Sequence, residues 1–73
     1  MSTLQQRFGK QAKRFRLKKG WSQETVANKT GFSREYIARL EQGLHDPSLS
    51  TLAKLAKAFK VKIDILLGLR RLL

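Results

Sequence analysis

Residues 22–42 read SQETVANKTGFSREYIARLEQ, and the fold turns on this stretch. It holds two segments of helical period, each opened by a serine and separated by Lys29-Thr30-Gly31-Phe32. Ser22 is a good N-cap, because its hydroxyl can accept from a first-turn amide, and Glu24 suits the positive end of the helix that follows. That helix turns Val26 and Ala27 inward and stops before Gly31. It has barely two turns, too few to stand without tertiary packing. Ser33 caps the second helix, which runs to Gly43 with Ile37 and Leu40 as its inward pair. Gly31 supplies the positive φ that so sharp a reversal requires, and Ala27 is small where the two helices approach. Trp21, Val26, Phe32, Ile37 and Leu40 close one apolar cluster beneath both. The N-terminal end of the second helix is thereby pushed outward, and its free face carries Arg34, Glu35, Ala38, Arg39 and Gln42.

The flanking sequence supplies further helices. Leu4, Phe8, Ala12 and Phe15 recur on one face of a helix over residues 3–19, with Lys18 and Lys19 at its negative end and Gly20 as its left-handed cap. After Asp46-Pro47, Ser48 caps a helix whose apolar stripe is Leu49, Leu52, Leu55, Ala56 and Phe59. Its wet side carries Lys54, Lys57 and Lys60. A last helix is predicted over residues 63–72, with Asp64 in its first turn. Strand signals are nearly absent, since alternation never persists. The expectation is an all-α fold, a compact five-helix bundle in a single domain over residues 1–73, with short connections between helices.

Charge is the strongest compositional signal. Sixteen Lys and Arg stand against five Asp and Glu among 73 residues, a net +11. Residues 1–20 hold seven of the bases and no acid. Such an excess opposes compaction, and a polyanionic partner relieves it. Nucleic acid is the commonest such partner, with an anionic membrane surface as the competitor. The chain has no cysteine, which excludes disulfides, thiolate metal sites and cysteine nucleophiles. The first eight residues lack the apolar run of a signal peptide, and no stretch approaches the roughly 18 apolar residues of a membrane span. A cytoplasmic protein is expected.

A helix that projects long polar side chains fits a major groove. Arg suits a bidentate contact with guanine O6 and N7, and Glu accepts from cytosine N4, so adjacent Arg34 and Glu35 favour a site containing G·C pairs. The first-turn amides behind Ser22 and Ser33 can take phosphate oxygens.

The run from Arg14 to Gly68 resembles the lambda-repressor-like (Cro-type, xenobiotic-response-element or XRE) helix-turn-helix family. The pieces that carry the resemblance are Gly20-Trp21-Ser22-Gln23, Val26-Ala27, Gly31, Ser33, Tyr36-Ile37, Leu40-Glu41-Gln42-Gly43, Pro47-Ser48, Leu52, Leu55-Ala56 and Leu66-Leu67-Gly68. Singly they are weak; in register over residues 12–68 they are strong. The resemblance implies a five-helix fold in which residues 22–42 form the helix-turn-helix and the third helix reads DNA. It implies that Gln23 contacts a phosphate and braces the first recognition residue. Arg34 and Glu35 would face base edges, and Arg39 would reach deeper or to the flanking backbone. Ser22, Ser33, Tyr36 and Gln42 would fix the DNA backbone. Arg16 and Glu41 match a partly buried ion pair tying helix one to helix three. The chain departs from many relatives in carrying Trp21 and Phe59 where leucines are common, and in the bases Arg7, Lys10, Lys13, Arg14 and Lys18 on helix one.

Blander readings stand beside these. Outside the motif, Arg34, Glu35 and Arg39 would read as a solvated face. Tyr36 stands between core edge and phosphate contact. The bases of helix one, and Lys54, Lys57 and Lys60, read as wet faces. His45, the one histidine, reads as a loop residue, since one His beside one Asp is neither a triad nor a metal site. Catalysis needs a pocket of convergent titratable groups that this composition does not supply. No enzyme, catalytic residue, metal or cofactor is expected.

The tail Ile65-Leu66-Leu67-Gly68-Leu69-Arg70-Arg71-Leu72-Leu73 has more apolar residues than one buried face uses. With Leu66 packed inward, Ile65, Leu69, Leu72 and Leu73 are expected to form a subunit interface. A two-fold dimer would set two recognition helices about 34 Å apart, matching a palindromic operator. The expected partner is double-stranded DNA and the expected role a transcriptional repressor. The alternative is an antitoxin or adaptor of the same fold that holds a protein partner and also binds DNA. A basic amphipathic membrane binder comes third.

Overall fold

The computed structural model of the chain describes residues 3–68. Five α-helices follow one another: α1 Leu4–Lys18, α2 Gln23–Thr30, α3 Arg34–Glu41, α4 Leu49–Phe59 and α5 Ile63–Leu66. No strand occurs among the described residues.

Local chemistry sets the helix starts. The hydroxyls of Ser22, Ser33 and Ser48 each accept from the backbone amide three residues on, Thr25, Tyr36 and Thr51, at 3.1 Å. Thr3 does the same for Gln6, whose side chain reaches back to the Thr3 amide at 3.1 Å, a reciprocal capping box. Gly31 ends α2 at φ 79. Lys60 ends α4 in the same left-handed region at φ 58, without being a glycine.

The helices close on a core of Phe8, Ala12, Val26, Ala27, Ile37, Leu40, Leu55, Ala56, Phe59 and Leu66. Phe15, Trp21, Phe32, Tyr36, Leu52, Val61, Ile63 and Leu67 pack around its edge. α1 lies directly across α3: a Cβ on Gly9 would collide with the carbonyl oxygens of Leu40 and Glu41. That approach fixes where α3 sits, and therefore what its outer face can reach.

Two expectations need correction. Leu4 and Leu49, read as members of the inward stripes, are 74% and 76% exposed. Each opens its helix, so the first turn extends past the rim of the core. The last helix, expected to run to residue 72, ends at Leu66: Leu67 caps it and Gly68 follows at a left-handed φ of 76. Ile65, expected in the subunit interface, is half-buried and keeps part of its surface open. Leu69, Leu72 and Leu73, the other residues of the expected subunit interface, lie outside the described residues.

Candidate nucleic-acid interface

α2 and α3 form the outward corner of the molecule. Arg34, Glu35, Arg39 and Gln42 are exposed along α3, and Ala38 between them is half-buried. Ser22 and Ser33 are exposed at the helix starts, while Gln23 is half-buried. The amides of Gln23 and Glu24, and of Arg34 and Glu35, belong to first turns, so no intrahelical carbonyl is available to them. Two sets of N–H groups without intrahelical partners therefore lie beside one row of polar side chains.

Beneath that row lies a hydrogen-bonded chain from core to surface. Arg16, 8% exposed, donates through Nε to Glu41 Oε2 at 2.7 Å and through a terminal nitrogen to Glu41 Oε1 at 3.0 Å. Its other terminal nitrogen donates to the Trp21 carbonyl at 3.0 Å. The bidentate bond to Glu41 raises the Arg16 pKa; burial pulls against it, and the carboxylate charge adds to the rise. Glu41 Oε1 also accepts from Gln23 Nε2 at 3.2 Å. Gln23 Oε1 in turn accepts from the Arg34 guanidinium at 3.4 Å. Because Glu41 fixes which end of the Gln23 amide donates, the carbonyl oxygen is turned toward Arg34. α1, α2 and α3 thus meet through four side chains.

Tyr36 is half-buried at the base of α3. Its hydroxyl lies 3.0 Å from Thr51 Oγ1, which is also 3.0 Å from Ser48 Oγ. Its ring packs against Phe32 at 4.9 Å between centroids and against His45 at 5.8 Å. Sequence reasoning did not single out Thr51, a buried polar residue inside an apolar stripe, or the ring contact of His45. Nor did it anticipate the Gln23–Glu41 bond, which joins residues 18 apart. Lys54, read as solvated, is exposed but sets its ammonium 5.2 Å from the Phe32 ring centroid. Among the described residues no group of His, Cys, Asp or Glu could hold a metal ion, and no helix is long and apolar enough to cross a membrane.

Comparison with known proteins agrees with this geometry. Residues 13–66 match the model of a family described as helix-turn-helix. An HTH-type transcriptional regulator from Archaeoglobus fulgidus is 44% identical over 50 residues, covering 68% of this chain and 71% of that protein. The matches span between 56% and 73% of the length of the first five curated relatives. The restriction-modification controller protein C.AhdI from Aeromonas hydrophila superposes with a TM-score of 0.82 at 35% identity, covering 85% of this chain and 94% of that one. The controller C.Esp1396I, solved as a tetramer in complex with its natural 35 base-pair operator, superposes with a TM-score of 0.81 at 26% identity, covering 94% and 91%. The chain belongs to the helix-turn-helix family of DNA-binding transcriptional regulators, in its lambda-repressor-like, XRE-type branch.

Proposed function

We propose that the chain is a cytoplasmic repressor that binds a palindromic operator as a homodimer, with α3 in the major groove of each half-site. Arg34 and Glu35 read base edges, and Arg39 reads a further base. Ser22, Gln23, Ser33, Tyr36 and Gln42 hold phosphates on either side. Occupying the operator is enough to occlude transcription. The dimer forms through Ile65 with Leu69, Leu72 and Leu73. The operator complex of C.Esp1396I, an oligomer on DNA, supports assembly of copies on one site.

The observation that carries this reading is the orientation of Arg34. Its guanidinium is exposed but tethered at 3.4 Å to a glutamine that is itself pinned to Glu41. A long side chain aimed in this way loses less freedom on binding than one waving in water.

Selection of bound duplexes from a random pool tests the proposal. A palindromic, G·C-containing consensus is expected. Arg34→Ala should then lose about 1–3 kcal/mol on the selected site and little on random duplex. Gln23→Ala should weaken both alike. Recovery of no consensus at low salt would rule the reader assignment out. Light scattering at tens of micromolar checks the dimer separately, and a monomer there counts against it.

A further inference from the structure

On another part of the surface, the C-terminal ends of α1 and α4 enclose a recess of about 280 Å³, lined by Phe15, Lys18, Lys19, Phe59, Lys60 and Val61. The Phe15 and Phe59 rings lie 5.8 Å apart between centroids, and Trp21 stacks on Phe59 at 6.0 Å. The open part of the floor is therefore the half-buried Phe15 ring, with Phe59, 2% exposed, beneath it, and the rim is cationic. None of the three lysines is in a salt bridge among the described residues, and the lining contains no carboxylate.

Helix ends explain part of this charge. Each helix C-terminus carries roughly half a negative charge, so two ends neutralise about one lysine of the three. The remainder, about two positive charges, has no salt-bridge partner among the described residues, and the Lys19 ammonium lies 5.8 Å from the Trp21 ring centroid. Lys60 adds a second observation. It is the one non-glycine at positive φ among the described residues, φ 58, in a position that glycine fills without strain. A side chain kept at a strained cap points to use of that side chain.

We propose that this recess binds a small anionic amphiphile: an apolar body of about ten heavy atoms on the aromatic floor, with a carboxylate or similar head held by Lys18, Lys19 and Lys60. The volume lies near the lower end of small-molecule sites, roughly 300 Å³, which limits the body to a medium-length acyl chain or one to two rings. The charge selects an anion over a neutral body of equal size.

Octanoate is a suitable probe, with 1-octanol as its uncharged counterpart. Titration of the full chain followed by ¹H–¹⁵N NMR should give saturable shifts confined to residues around Phe15, Lys19, Trp21 and Val61, with Kd on the order of a millimolar. Octanol should bind several-fold more weakly. The double variant Lys19→Gln/Lys60→Gly should weaken octanoate about fivefold. Glycine is the residue that a left-handed cap prefers, so this variant stays folded, and its own spectrum checks that. Equal affinity for octanol and octanoate, shifts scattered over the surface, or unchanged binding by the double variant would each overturn the proposal.

Discussion

At the scale of single residues, the hydrogen-bonded chain from Trp21 to Arg34 is graded in strength. Its inner part is short and charged: Arg16 grips Glu41 at 2.7 Å and 3.0 Å. Its outer part, Arg34 on Gln23, is 3.4 Å and exposed, so exchanging it for a base costs little. The two ends should respond differently to mutation. Glu41→Gln leaves a buried guanidinium without its counter-charge and should cost about 2–3 kcal/mol, a large part of what a small domain has. Gln23→Ala leaves Arg16 and Glu41 paired and should cost less than about 1 kcal/mol. Urea melts of both variants check the ordering, and equal losses would refute it. The raised Arg16 pKa also has a sign. A cation whose folded pKa lies above its unfolded one contributes stability below the unfolded value and loses it only as pH climbs through the folded value. For an arginine that window is far into alkali, so this pair should give no slope in stability between about pH 7 and 10.

At the scale of elements, helix ends and one close crossing decide the architecture, and three positions invite substitution. Gly31 has open space around a built Cβ but a φ of 79, so Gly31→Ala should cost only backbone strain, about 1 kcal/mol. At Gly9 the conformation is ordinary and space is the constraint. A Cβ there would meet the carbonyls of Leu40 and Glu41, neither of which can move without moving α3. Gly9→Ala should therefore cost about 3 kcal/mol or more and displace the reader as well. Lys60→Gly should run the other way, gaining about 1 kcal/mol by relieving a left-handed lysine, or about 4–8 °C in melting temperature for a domain of this size. Thermal melts rank the three, and a Gly9→Ala variant as stable as Gly31→Ala would show that α1 does not rest on α3 as described. These ends also mark what the sequence could and could not reveal. Ser22, Ser33, Ser48 and Gly31 announce themselves by type and spacing, and the starts of α2, α3 and α4 follow from them. Leu4 and Leu49 fit the apolar stripes by period, yet period says nothing about where a helix outruns its core. Thr51 went unread beside the α4 stripe, because its burial depends on hydroxyls of Ser48 and Tyr36 that only the folded chain brings together. In the candidate interface, the exposed row on α3 was legible as a helical face. The Gln23–Glu41 bond was not, because it depends on the approach of α2 to α3.

At the scale of the whole molecule, charge and compaction oppose each other. A chain of net charge +11 folds its described residues into a body about 27 × 25 × 22 Å across, with a radius of gyration of 11.0 Å. The Debye length is about 10 Å at 0.1 M salt, so at low ionic strength most cations in the fold repel one another across its full width. Unfolding separates them. Added salt should therefore stabilise the free protein, with the melting temperature rising between about 0.05 M and 0.5 M sodium chloride. DNA binding should move in the opposite direction. Each phosphate neutralised lowers the logarithm of affinity by about 0.9 per tenfold rise in salt, so roughly six contacts lose on the order of 10³ in affinity between 50 and 200 mM. The two measurements share one protein and one variable and should diverge in sign. If the melting temperature instead falls with salt, specific ion pairs outweigh the net charge. The Arg16–Glu41 pair would then have company that the described surface does not show.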